Sequence, residues 1–256
     1  MRANKSGLLV FFLLLFTAGA LARATLPFPE DLLQGEHGRS LREVLGKSTL
    51  ERQMGGLRVY GDQTVFEYLS SHPDFAASLA KAAGVLKYTV ERRGEAGYWA
   101  NDHDGLTADF AILRRGPGQM VVYAKGIYKK GVFRIPGRVA LVVVYSAESA
   151  GNPPYLENTV TGFVRLDSGF FVALARLFRP AVERRMDDRV TWFLDKANQL
   201  MARLHEDPES VLQGLPPGSW EEEARHLRLL LAPSPSVQTQ TGIDLPETPA
   251  TRGLAS

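Results

Sequence analysis

Residues 132–146 read Val-Phe-Arg-Ile-Pro-Gly-Arg-Val-Ala-Leu-Val-Val-Val-Tyr-Ser, and their alternation decides the fold. Phe133, Ile135, Val139, Leu141, Val143 and Tyr145 share one parity, whereas Arg134, Pro136 and Arg138 share the other. Successive side chains of a strand point to opposite faces, so this run has one apolar face. Beyond Val139 both parities are apolar, which predicts burial on both faces there. The flanking runs Lys87–Arg92, Gly97–Asn101, Leu106–Arg114, Gln119–Lys129 and Thr159–Leu166 are also strand-like. They are divided by Arg93-Gly94, Asp104-Gly105, Gly116-Pro117-Gly118, Lys130-Gly131 and Gly151-Asn152-Pro153-Pro154. Such short turns require antiparallel neighbours, so the pattern is a meander and not a βαβ array.

Working outward, a short strand Leu57–Tyr60 ends at Gly61-Asp62. Gln63–Ala83 then carries helical periodicity through Val65, Phe66, Leu69, Phe75, Leu79 and Ala82. His72-Pro73-Asp74 divides it into two short helices, because proline disfavours the α conformation at the preceding residue and itself suits a first turn. After Leu166 the period becomes helical again, with Asp167 or Ser168 as the cap, to about Glu206. Pro180 kinks or restarts this segment. Beyond it Val182, Met186, Val190, Phe193, Ala197, Leu200 and Leu204 form one apolar stripe, which needs a sheet to lie on.

The order strand, two short helices, antiparallel strands and long last helix resembles the START/polyketide-cyclase (SRPBCC) superfamily. Residues 59–74 (VYGDQTVFEYLSSHPD) are similar to that family's first strand, entry helix and break, and the likeness covers about residues 57–206. The arm before residue 57 and Pro180 depart from the simplest members. The resemblance implies an α+β helix-grip fold, in which a curved antiparallel sheet wraps a long C-terminal helix, with two short helices near the start. It also implies a cavity between sheet and helix, used across the family for lipids, sterols, polyketides and other apolar ligands; only some members are enzymes.

The ends concern compartment. Arg2 and Lys5 precede Ser6–Ala22, which carries no charge, and small residues follow as Ala20-Leu21-Ala22 or Ala22-Arg23-Ala24. That is the layout of an export signal, with residues 1–22 cleaved; retained, the segment would be a membrane anchor. Its removal deletes two basic residues and no acidic ones, so the mature chain is neutral. A neutral chain argues against a nucleic-acid partner bound by phosphate neutralisation. The absence of Cys from the sequence excludes disulfides, thiolate metal sites and a cysteine nucleophile. An exported chain without disulfides fits a bacterial periplasm. We therefore expect a signal at 1–22, an arm at 23–56 with a short helix over Ser40–Leu50, and a helix-grip domain at 57–213. An appended helix and a disordered Pro/Ser/Thr-rich tail occupy 214–256, the helix opening on the capping box Ser219-Trp220-Glu221-Glu222.

No catalytic signature stands out. Asn101-Asp102-His103-Asp104-Gly105 places two carboxylates beside an imidazole, yet this composition is also what a tight turn requires. His37, His72, His205 and His226 lack metal-site spacing, and no nucleophile elbow, dinucleotide fingerprint or P-loop occurs, so neither metal nor cofactor is expected. The strand aromatics are the better candidates. If one sheet face encloses a pocket, Tyr123, Phe133 and Tyr145 are the preferred wall residues, and Arg138 beside Arg134 is placed to meet an anionic head group. Phe170, Phe171, Leu174, Leu177 and Phe178, with Arg176 and Arg179, form an apolar patch for peripheral membrane contact or for the core. The expected function is that of an exported binder or carrier of a hydrophobic small molecule or lipid. The alternatives are a cyclase- or hydrolase-like enzyme using the same cavity, or an interaction domain whose cavity, under about 300 Å³, is filled by its own side chains.

Overall fold

The computed structural model describes residue 28 and residues 30–35, 37–148 and 154–232. The expected signal, most of the turn at 151–154 and the tail beyond residue 232 lie outside the described residues. The meander is present as β2 (Thr89–Arg93), β3 (Gly97–Asn101), β4 (Leu106–Gly116), β5 (Gln119–Lys130), β6 (Phe133–Glu148) and β7 (Tyr155–Leu166). With β1 (Leu50–Tyr60) these form one curved, open, wholly antiparallel sheet in the order β1-β7-β6-β5-β4-β3-β2.

The first strand is longer than its sequence suggests. Gly55-Gly56, the last two residues of the arm expected at 23–56, form a bulge within a strand, where the β1–β7 register shifts between Met54 and Leu57. Gly56 takes φ +69°, a conformation that costs glycine little. The strand therefore begins at Leu50, seven residues before the expected Leu57.

Two short helices follow, α3 (Gln63–Ser71) and α4 (Pro73–Ala82), divided at His72 as expected. Asp62 caps α3, its carboxylate accepting from the N–H groups of Thr64 at 2.7 Å and Val65 at 3.4 Å. After β7 the chain forms α5 (Gly169–Leu177) and then α6 (Arg179–Glu206), so Pro180 restarts the helix within its first turn. The long helix crosses to the open edge of β1. There Asn198 accepts the Tyr60 N–H at 2.8 Å and donates to the Arg58 carbonyl at 3.1 Å, satisfying an edge that would otherwise template further strands. Val190, Leu200 and Leu204 of the expected stripe are buried, but Phe193 is exposed and Leu194 packs inward instead. A small rotation of the stripe accounts for this, since residues 193 and 194 straddle its edge.

Beyond α6 lie α7 (Pro208–Gln213) and α8 (Glu221–Leu231). The expected capping box is not formed: Trp220 occupies the N-cap at φ +70°, and its indole packs 5.6 Å from the Phe75 ring. Aromatic packing outweighs the Ser219 cap here. Leu227 is fully buried with Leu79, Phe75 and Leu204, so the appended helix shares the core of α3, α4 and α6.

Before β1, α1 (Glu30–Gln34) and α2 (Gly38–Gly46) cover the other side of the sheet. The expected helix over residues 40–50 thus begins earlier and ends earlier, and Leu50 belongs to β1. Leu41 and Val44 are fully buried against Tyr123, Ala140 and Phe163. This explains the double apolarity of β6: Ile135, Val139 and Val143 face the long-helix side, while Ala140 lies under the arm.

Truncating the arm's anchor tests its role. Leu41→Ala leaves a void in a fully buried site and is expected to lower unfolding stability by about 2–5 kcal/mol. Leu229→Ala, at a side chain on α8 that is 70% exposed, should change it by less than about 0.5 kcal/mol. Urea unfolding monitored by circular dichroism measures both; equal small effects would show that the arm is not part of the cooperative core.

Candidate functional site

One end of the sheet carries a cavity of about 260 Å³, bounded by Glu67, Ser70 and Ser71 of α3, Arg115 to Pro117 with Gln119 and Met120 of the β4–β5 hairpin, and Tyr145 of β6. Helical spacing puts Glu67, Ser70 and Ser71 on one face at i, i+3 and i+4. Gly118, at φ +74°, turns the hairpin so that its carbonyl accepts the Tyr145 N–H at 2.8 Å. The Tyr145 hydroxyl donates to Glu67 Oε1 at 3.1 Å, and Gln63 Nε2 donates to the same oxygen at 2.7 Å. The Phe66 ring meets the Tyr145 ring edge-on, with centroids 5.2 Å apart. The site therefore combines an apolar wall (Pro117, Met120, the Tyr145 ring) with a carboxylate, a guanidinium, an amide and three hydroxyls.

The electrostatics of Tyr145 favour hydrogen bonding over proton transfer. Burial, then the Glu67 charge and the hydrogen bond to it, push the Tyr145 phenol up to about 12. A phenol so raised stays protonated at neutral pH and acts as a donor, far from the matching pKa that an acid–base catalyst needs.

The structure separates the four residues expected to meet a ligand. Tyr145 lines the cavity. Phe133, 55% exposed, lies at the far end of β6 with its ring 6.4 Å from that of Phe171. Tyr123 lies under the arm, its ring 5.8 Å from His37. Tyr123 and Tyr145 stand on different faces because their strands pair Tyr123 with Ala140, the opposite parity to Tyr145. Arg138 also has that opposite parity. It reaches Glu43 of α2 at 2.6 Å and Asp167 at 3.5 Å, while Arg165 reaches the same Glu43 oxygen at 2.8 Å. Burial acts to raise the Glu43 carboxyl, but hydrogen bonds and charges from Arg138 and Arg165 outweigh it and hold its pKa below the usual value. Arg138 is thus engaged by carboxylates.

Sequence reasoning missed Glu67, Ser70, Ser71, Arg115 and Met120. The spacing on the entry helix was a signal, but only the fold brings it to the Gly-Pro-Gly hairpin.

A second polar group lies between α6 and the sheet. Arg52 of β1 contacts Asp187 at 2.6 Å, and Arg189 donates to the Tyr88 hydroxyl while stacking 3.6 Å above the Trp192 ring. Burial leads in pushing the Tyr88 phenol up to about 12; Arg189 opposes it and Asp102 adds to it. Asp102 itself lies in the Asn101–Gly105 turn, where its Oδ1 accepts from the N–H groups of Asp104 and Leu106, each at 2.9 Å. Burial raises its pKa, against those two bonds. His103 sits at φ +59°, so this segment has the geometry of a tight turn. Among the described residues no group of three acidic or imidazole side chains is placed to hold a metal, and no helix is long and apolar enough to cross a membrane.

No protein-family model matches the chain, and no curated protein matches it. Among solved structures, it is similar to a conserved protein from Geobacillus kaustophilus at 19% identity, covering 61% of this chain and 98% of that one, with a TM-score of 0.42. An uncharacterised protein from Rhizobium leguminosarum matches at 20% identity, over 60% of this chain and 95% of that one, with a TM-score of 0.35.

Glu67→Gln tests the wiring of the cavity. Removing the carboxylate charge should bring the Tyr145 phenol down from about 12 towards its ordinary value near 10, read as absorbance at 295 nm against pH and assigned with Tyr145→Phe. A phenol held high in the fold favours the native state less as pH rises from about 10 to 12, because the unfolded chain loses the proton first. Native stability should therefore fall through that window, and less steeply in Tyr145→Phe. Identical titrations for wild type and Glu67→Gln would refute the coupling.

Proposed function

We propose that the chain is a helix-grip protein that binds and carries a hydrophobic ligand, a lipid or lipid-derived amphiphile, at the bacterial envelope. The observation that carries this reading is the cavity at Tyr145, where an apolar wall meets convergent polar groups at the junction of sheet and entry helix. The element order around it supports the helix-grip assignment: β1, two short helices, six antiparallel strands, then a long helix that returns to β1. A ligand would place apolar atoms against Pro117, Met120 and the Tyr145 ring. Its polar end would meet Arg115, Ser70 or the neutral Tyr145 hydroxyl. Each buried methylene is worth about 0.8 kcal/mol, so a short apolar segment held there lowers the cost of leaving a bilayer by several kcal/mol. Export through the segment Ser6–Ala22 would deliver the protein to the compartment where such ligands are exchanged.

The cavity's volume favours a second reading. At about 260 Å³ it falls just below the range of about 300–1,000 Å³ typical of ligand pockets. That size suits one short chain or a head group better than a whole two-chain lipid. It is also what an interaction domain filled by its own side chains would retain.

Native mass spectrometry with organic extraction, on protein purified from its exported compartment, separates the two. A co-purifying apolar molecule near one per chain is expected. Met120→Trp should fill the space and cut uptake of a labelled fatty acid from vesicles by about tenfold or more. A protein that is empty and takes up no labelled fatty acid or phospholipid would remove the carrier reading and leave the filled domain.

A further inference from the structure

Apart from Arg176, helix α5 is apolar on every side, but among the described residues only one side has a partner. Phe171, Val172 and Ala175 pack onto the core with Val164, Leu166 and Val139. Phe170, Leu174, Leu177 and Phe178 face outward, with exposures of 65%, 39%, 74% and 53%. A helix that is apolar all round belongs in a core or at a membrane, and half of this one is in neither.

The β5–β6 hairpin extends the same surface. Its tip presents Val132, 94% exposed, beside Phe133. The Phe133 and Phe170 rings both lie against Phe171, with centroids 6.4 and 5.3 Å from it, so hairpin and helix form one patch. Cations lie around it: Lys130, opposite Phe133 in the hairpin and on its face, Lys129 and Arg134, a cross-strand pair on the other face of the hairpin tip, and Arg176 and Arg179 at the end of α5. Arg179 pairs with Glu183 at 2.8 Å, whereas among the described residues Lys129, Lys130, Arg134 and Arg176 form no ion pair. Acids also lie nearby: Asp167, engaged by Arg138 and Arg165, Glu183, paired with Arg179, and Asp102 and Asp104 in the turn bonded to the end of β5. Neither α5 nor the hairpin tip carries an acid.

We propose that this end of the molecule docks on an anionic lipid bilayer, with Val132, Phe133, Phe170, Leu174 and Leu177 entering the head-group region and the cations meeting lipid phosphates. Protruding aromatic and aliphatic side chains flanked by cations, most of them without an ion pair among the described residues, are the chemistry of an interfacial surface. A second copy of the chain is disfavoured as the occupant, because facing patches would bring their cations together. Docking does not require a filled cavity. The cavity sits at the other end of β5, about 35 Å away by strand rise.

The chain lacks Cys, so Val132→Cys accepts a single environment-sensitive fluorophore. With vesicles of phosphatidylcholine containing about one-third phosphatidylglycerol, the emission should shift blue and resist iodide quenching. Pure phosphatidylcholine should have no effect, and the same label at Leu229→Cys on α8 should respond to neither. Replacing Lys129 and Lys130 by Ala should weaken anionic-vesicle binding by about 25-fold, near fivefold per cation. The proposal is overturned if the label at 132 stays in water in both vesicles, or if labels at 132 and 229 respond alike, as binding through another segment would give. It is also overturned if the shift appears without vesicles as protein concentration rises, which is self-association. Docking in a protein that carries no ligand would sink the carrier reading and leave this surface standing.

Discussion

Everything in the molecule answers to the burial of β6 on both faces. The strand pairs with β5 and β7 along most of its 16 residues, so its backbone is satisfied, but its side chains demand two dry surfaces. An antiparallel sheet normally leaves one face in water. Here the long-helix side covers Ile135, Val139 and Val143, and the arm covers Ala140. Towards the end of the strand Val144 emerges at 43% exposure. The same pairing explains why Pro136 is tolerated in a central strand. The β6–β7 ladder begins at Gly137, and the Pro136 carbonyl accepts from Asp167 N–H at 3.1 Å on that side. In a strand the N–H and C=O of one residue point the same way, so the hydrogen that proline lacks falls beyond the last β7 partner.

The arm is held by charge as well as by packing. Arg138 and Arg165 stand directly opposite each other on β6 and β7, an arrangement of like charges that destabilises a sheet. Glu43 of α2 answers both guanidinium groups with one carboxylate oxygen, and Asp167 lies on their other side. Leu41 and Val44, two residues before and one after Glu43, bring it there by burying themselves against Phe163 and Tyr123. The arm is thus a cover whose polar and apolar contacts specify one register.

Local signals were legible and long-range ones were not. The alternation of β6, the break at His72-Pro73 and the ends of β3 were readable, because each depends on residues adjacent in the chain. Gly55-Gly56 misled, since two glycines signal a terminator and a bulge equally; only the partner strand decides. Trp220 displaced the Ser219 cap because Phe75, distant in sequence, offered its ring. For the site, Tyr145 was found through its parity, whereas Tyr123 was assigned to the same wall because the register between β5 and β6 is invisible without pairing. Glu67 and Arg115 meet only when α3 folds across the hairpin.

The charges beneath α6 restrict where a ligand can lie. Glu183 is buried, paired with Arg179, and Asp187 meets Arg52 at 2.6 Å between helix and sheet. An apolar chain laid along this interface would have to strip water and partners from those groups, each pair having one more buried and one more exposed member, and that desolvation opposes it. The helix–sheet interface is thus poorly suited to an extended acyl chain over its first half. Among the described residues the Tyr145 end carries no such pair, and its polar groups stand at the cavity wall, where the polar end of a proposed ligand would replace water. If the chain binds an amphiphile as proposed, the distribution of charge, more than cavity volume, favours that end of the sheet.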